Sequence, residues 1–82
     1  MNNTRRKAIK MQKARIKAVL EEINDIYNEL ENTLDEEQDA FDNMPENLQN
    51  SERGENSQEA IDLLTETISN LEEAIDNLEE II

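Results

Sequence analysis

The last third of the chain is written on a period of seven. Ile61, Ile68, Ile75 and Ile82 recur at that spacing, and Leu64, Leu71 and Leu78 follow the first three of them by three residues. Isoleucine at a and leucine at d of a heptad make an apolar seam along one side of a helix, and such a seam has to lie against another helix. The repeat is close to literal, since Ser69 to Ile75 is nearly restated by Asp76 to Ile82.

A matching stripe runs upstream. Ile9, Ile16, Ile23 and Leu30 also recur every seven residues, with Val19, Leu20, Ile26, Tyr27, Leu34, Ala40 and Phe41 filling the neighbouring d and e positions. That is the wider, slightly drifting apolar face of a bundle helix. It predicts a first helix over about 4–42, roughly 57 Å long at about 1.5 Å per residue. Met1 to Asn3 are expected to fray. The stripe is thin at Gln12 and Lys13 and thins again at Glu36-Glu37-Gln38.

Met44-Pro45 ends this helix, because the residue before a proline is pushed out of the α region and proline has no amide hydrogen. A turn is expected over about 43–50, with room for one helical turn from Pro45 through Leu48. The second helix is expected over about 51–82, capped by Ser51, with Glu52 and Glu55 facing the positive end of its dipole. The heptad then puts Gly54 at a and Ser57 at d, small residues that let helices close up beside the turn. The fold class is all-α: one antiparallel two-helix hairpin, coiled-coil-like, with Ile61, Leu64, Ile68, Leu71, Ile75 and Leu78 meeting Ile16, Ile23 and Leu30. Ile at a with Leu at d would otherwise favour a parallel pair. The turn and the upstream stripe supply a partner within the chain instead. Folding about Asn47 brings Ile82 near Gln12 and leaves residues before about Lys10 overhanging. Two helices bury little. Ala60, Thr67, Ala74 and Ile81 at g widen the second helix's face, so a homodimer forming a four-helix bundle is expected.

Charge adds a direction to this picture. The 82 residues carry 21 acids and 8 bases, a net −13. Seven of the bases, Arg5, Arg6, Lys7, Lys10, Lys13, Arg15 and Lys17, precede the first acid, Glu21; only Arg53 follows. The first 20 residues therefore hold about +7 and the remainder about −20. In the hairpin, Glu72, Glu73, Asp76, Glu79 and Glu80 run beside Lys13, Arg15 and Lys17.

Composition removes whole classes of chemistry. Without Cys or His, disulfides, thiolate catalysis and the usual zinc sites are out, and no ordinary nucleophile–base pair can be assembled; the chain is not expected to be an enzyme. No cofactor is implied. No run of 18 apolar residues exists and no signal-type segment opens the chain, so a soluble, cytoplasmic protein is expected. The densest acidic run, Asp35-Glu36-Glu37-Gln38-Asp39-Ala40-Phe41-Asp42, lacks the glycine and terminal glutamate of an EF-hand loop and the Glu-x-x-His of a di-metal site. It reads as a solvated helix face. Together with Glu72, Glu73, Asp76, Glu79 and Glu80 it strings negative charge along rigid helices, as a nucleic-acid backbone does. Such a surface suits the basic groove of a nuclease or another nucleic-acid-binding protein. The same charge also keeps a sticky bundle soluble.

The basic arm has no aromatic to stack on a base, so direct nucleic-acid binding is not expected of it. Compensation of the acidic C-terminus accounts for most of it, and least well for the overhanging Arg5, Arg6 and Lys7. Arg53 can tie down the turn by pairing with Asp42 or Glu46; holding a phosphate beside Ser51 is the alternative.

The turn Asn43-Met44-Pro45-Glu46-Asn47-Leu48-Gln49-Asn50-Ser51-Glu52-Arg53-Gly54-Glu55, followed by Glu59-Ala60-Ile61-Asp62 and the acidic heptads, resembles small acidic helical-hairpin proteins of bacteriophages and mobile elements of Gram-positive bacteria. The resemblance covers roughly residues 20–82. It implies a phage origin and a place in the host cytoplasm, and, by analogy of size and charge, an inhibitor of host defence such as an anti-CRISPR protein. The expected function is thus a non-enzymatic interaction protein that inhibits a basic host protein, possible nucleic-acid mimicry included. A purely structural oligomerisation module and a nucleotide sponge are the alternatives.

Overall fold

The computed structural model describes residues 2–82, and these are all-α: α1 (Asn3–Asp42), α2 (Glu46–Gln49) and α3 (Glu52–Ile81). Met1 lies outside the described residues. Asn2, expected to fray, is the N-cap of α1, its side chain accepting from the Arg5 amide at 2.8 Å. At the other end of α1 the Asn43 amide donates to Asp39 O and the Met44 amide to Phe41 O, closing the helix just before Pro45. Pro45 then opens α2, a single turn whose Gln49 side chain donates back to Phe41 O at 3.0 Å. Ser51 is the N-cap of α3, but its hydroxyl does not accept from the helix. It donates to Leu48 O, so it fastens α3 to α2 rather than satisfying the first-turn amides.

The molecule is long and thin, 64 × 18 × 15 Å, with a radius of gyration of 18.9 Å where a compact chain of this length has about 12 Å. α1 and α3 lie against each other. Two side-chain bonds cross between them, Glu37 with Ser57 and Tyr27 with Glu72.

On α3 the buried row is Ile61, Ile68 and Ile75, 5–9% exposed, with Gly54 and Ser57 buried ahead of it. Leu64, Leu71 and Leu78 are half-buried. α1 has no fully buried residue; its half-buried positions include Ile16, Leu20, Ile23, Tyr27, Leu30, Leu34, Glu37 and Phe41. These alternate by four and three, which is a heptad seam. Of the two sets offered beside Ile16, Ile23 and Leu30, the structure takes Leu20, Tyr27, Leu34 and Phe41. The other set turns outward: Val19 is 50% and Ile26 41% exposed, and Ala40 is exposed too. A helix with 3.6 residues per turn can keep only one of the two rows against a single neighbour.

Gly54 meets α2 rather than α1. A Cβ there would run into the backbone carbonyls of Gln49 and Leu48. Closure at this end is a backbone-to-backbone approach that only glycine permits.

Candidate acidic interaction surface

Of the 21 acidic residues, every one but Glu37 is exposed. Asp35, Glu36, Asp39 and Asp42 stand on the last two turns of α1, and Glu72, Glu73, Asp76, Glu79 and Glu80 on the last three of α3. They sit on continuous helices, so their spacing is held by backbone rather than by loops.

Glu37 departs from the expectation that it belongs to the outer surface. It occupies a seam position, seven residues after Leu30, and is half-buried. The Ser57 hydroxyl, 6% exposed, donates to its Oε1 at 2.5 Å. A short bond to a carboxylate is among the stronger hydrogen bonds, and it satisfies a serine that would otherwise be buried without a side-chain partner. The sequence shows this position only as a gap in the apolar stripe. The complementary signal is the equally misplaced serine at a d position.

The charges of α1 run against its own dipole. Arg5, Arg6 and Lys7 fall in the first turns, and Asp39 and Asp42 in the last, with no acid in the first turn and no base in the last. Each misplaced charge costs a few tenths of a kcal/mol in a lone helix. Helix stability therefore does not account for this distribution. Arg5, Arg6, Lys7, Lys13, Arg15, Lys17 and Arg53 are all exposed.

Tyr27 sits where the two helices meet, its hydroxyl 3.5 Å from Glu72 Oε2 and donating to it. Burial pushes the phenol above its ordinary value of 10.0, and the charges of Glu31 and Glu72, the bond to Glu72 and the charge of Asp76 push it further the same way. A raised pKa means that the fold favours the neutral phenol. That contribution is complete below about pH 10 and is lost as pH rises through the folded-state value. As Tyr27 is the only tyrosine, titrating phenolate absorbance reads it directly. The midpoint is expected above 10 in the native chain and closer to 10 in Glu72→Gln. An unchanged midpoint in that variant would mean Glu72 does not face the ring.

Where α1 carries Gln12, Arg15, Ile16 and Val19 there is a shallow groove of about 400 Å³. Among the described residues no group of His, Cys, Asp and Glu side chains is placed to hold a metal ion, and no helix is long and apolar enough to cross a membrane. No protein-family model, curated protein or solved structure matches the chain.

Proposed function

We propose that this chain is a non-enzymatic interaction protein, an antiparallel two-helix hairpin that pairs with a second copy and presents its acids to a basic, nucleic-acid-binding protein. The observation that carries the reading is the display of 19 exposed carboxylates on two continuous helices. α3 is 30 residues long, about 45 Å at about 1.5 Å per residue. The 21 acids and the four bases Lys13, Arg15, Lys17 and Arg53 along that span leave a net charge of about −17, roughly one charge per 2–3 Å, against about one per 1.7 Å of duplex DNA. A groove built for a phosphate backbone would meet similar charge density on a rod of similar stiffness. Residues placed against the helix dipole support the same view, since they need a reason outside the helix. The phage-type resemblance of residues 43–55 fits an inhibitor of a host defence protein.

The test is competition. Fluorescently labelled duplex DNA is held by a purified basic DNA-binding protein, and this chain is titrated in while anisotropy is followed. The duplex is expected to be released at about 50 mM salt, and the chain's own affinity for the protein, titrated without DNA, to fall at least tenfold by about 200 mM. Retention of the duplex at low salt across a panel of such proteins, or direct binding indifferent to salt, would overturn the reading.

A module that only oligomerises is favoured by one observation, the exposed apolar Val19, Ile26 and Leu63. It predicts that reversing exposed acidic charges leaves the chain's function intact.

A further inference from the structure

The half-buried residues of α1 and the buried row of α3 divide the molecule into two flanks. Glu31, Glu72 and Asp76 all crowd the Tyr27 hydroxyl, so they mark one flank, and it is polar: Lys17, Asn24, Glu31 and Gln38 from α1 join Gln58, Thr65, Glu72 and Glu79 from α3. The opposite flank takes the positions on the other side of each seam. From α1 these are Gln12, Val19, Ile26, Thr33 and Ala40; from α3 they are Ala60, Thr67, Ala74 and Ile81. None of these nine is charged, and all but the half-buried Ala60 are exposed. Leu63, 58% exposed, adjoins Ala60 and Thr67, three and four residues away, about 100° round the helix from Leu64, and the groove at Gln12, Arg15, Ile16 and Val19 lies on this side. In a chain with 35% charged residues, an uncharged strip spanning 28 residues of α1 and 21 of α3, where Arg53 ends it, is a surface waiting to be covered.

We propose that this flank is the contact between two copies of the chain, docked antiparallel about a two-fold axis. The inference rests on the hairpin and dimer proposed above and adds the face and the orientation. Area is the first argument. The chain exposes 6515 Å², whereas a compact 9.5 kDa monomer exposes about 5,000 Å². The strip runs 28 residues along α1, about 42 Å, and the molecule is 18 Å across. With half that width for each helix, and about 32 Å for the 21 residues of α3, the strip is roughly 650 Å², within the range of about 600–1,000 Å² per partner of a standard interface. Charge is the second argument and decides the direction. Continuing outward from the Glu37–Ser57 pair brings Ile81 level with about Lys13, so Arg5, Arg6, Lys7 and Lys10 project past α3. Docked parallel, two such arms lie side by side and repel. Docked antiparallel, each arm reaches the turn end of the other copy, where Asp39, Asp42, Glu46, Glu52 and Glu55 stand exposed with Arg53 as the only base. This also gives the reversed charges of α1 their counterpart: its basic start meets the partner's acidic end. The polar flanks and the acidic outer faces stay in water.

Sedimentation equilibrium on the full chain tests this, with circular dichroism as the folding control. The unaltered chain is expected to be a dimer, and Val19→Glu/Ile26→Glu a monomer of unchanged helicity. If that variant loses its helicity, the two positions are core and the inference falls. Ala74→Lys, on the α3 half of the strip, is expected to weaken the dimer at least tenfold. Dimers that survive both changes overturn the face while leaving the dimer in place, and a monomeric unaltered chain overturns the dimer itself. Neither result bears on the DNA competition, which tests the acidic surface separately. Orientation is read by disulfide formation, unambiguous in a chain without cysteine. A two-fold axis through the middle of the strip, at Ile26, sets Gln12 level with the partner's Ala40 and the arm level with its turn. Gln12→Cys is expected to cross-link with Ala40→Cys faster than with itself; preferential Gln12→Cys self-pairing overturns the antiparallel arrangement.

Discussion

Ile68→Ala is expected to lower the melting temperature by about 10–25 °C. Ile68 is the middle of the three buried isoleucines, the only large apolar side chains buried among the described residues. Removing three buried carbons with partial collapse of the site costs about 2–4 kcal/mol. The whole stability of 82 residues is on the order of 4–12 kcal/mol, and each kcal/mol is worth about 4–8 °C in a domain of this size. A compact core spreads such a loss over many neighbours. Here the buried row is one residue wide, and no second layer can move in. The comparison is Leu63→Ala, 58% exposed, expected to cost less than about 0.5 kcal/mol to folding. Both are measured by thermal melting of the helical circular-dichroism signal at one protein concentration, because association adds to apparent stability. An Ile68→Ala melt within a few degrees of the parent would mean the seam is not what holds α1 and α3 together.

Gly54→Ala is expected to be destabilising by about 1–3 kcal/mol, against the usual sign. Inside a helix, alanine is favoured over glycine by about 1 kcal/mol, and Gly54 has no positive φ that alanine would have to adopt. The obstacle is space. The new methyl would meet the backbone carbonyls of Gln49 and Leu48, and backbone cannot rotate away as a side-chain tip can. α2 would have to lift off the first turn of α3, straining the Gln49 bond to Phe41 O and the Ser51 bond to Leu48 O. Overpacking of this kind costs about 1–3 kcal/mol or more, which outweighs the propensity gain. Urea denaturation checks it through the midpoint at constant slope; a raised midpoint would show that the turn accommodates the methyl freely.

The helical pattern was easiest to read where chemistry and spacing coincide. Ile61, Ile68 and Ile75 form a seven-residue repeat of one residue type, and they are the buried row. α1 was harder, because two apolar rows flank Ile16, Ile23 and Leu30 and periodicity cannot choose between them. The choice follows from what α3 covers: Leu20, Tyr27, Leu34 and Phe41 keep the four–three alternation, while Val19 and Ile26 fall outside it. Gly54 and Ser57 could be recognised as small, but not that one meets α2 backbone and the other a glutamate on α1. Glu37 was hidden because a carboxylate in a stripe reads as a break in it. The acidic surface has no spacing-bound motif of the kind that marks a metal loop or a catalytic pair, so its role is argued from density and rigidity rather than from any one residue.

The Glu37–Ser57 bond has a consequence for how the helices find their alignment. A seam built from near-identical heptads is degenerate, for sliding α3 by seven residues still sets isoleucine against an apolar row. In one direction that slide would put Leu64 where Ser57 stands, and the Glu37 carboxylate would face a side chain unable to donate to it. A half-buried charged acceptor deprived of its donor costs on the order of 1–3 kcal/mol, enough to disfavour the slipped state about fivefold or more. The one polar pair in the apolar row thus acts as a register mark, telling one heptad from the next where hydrophobicity cannot.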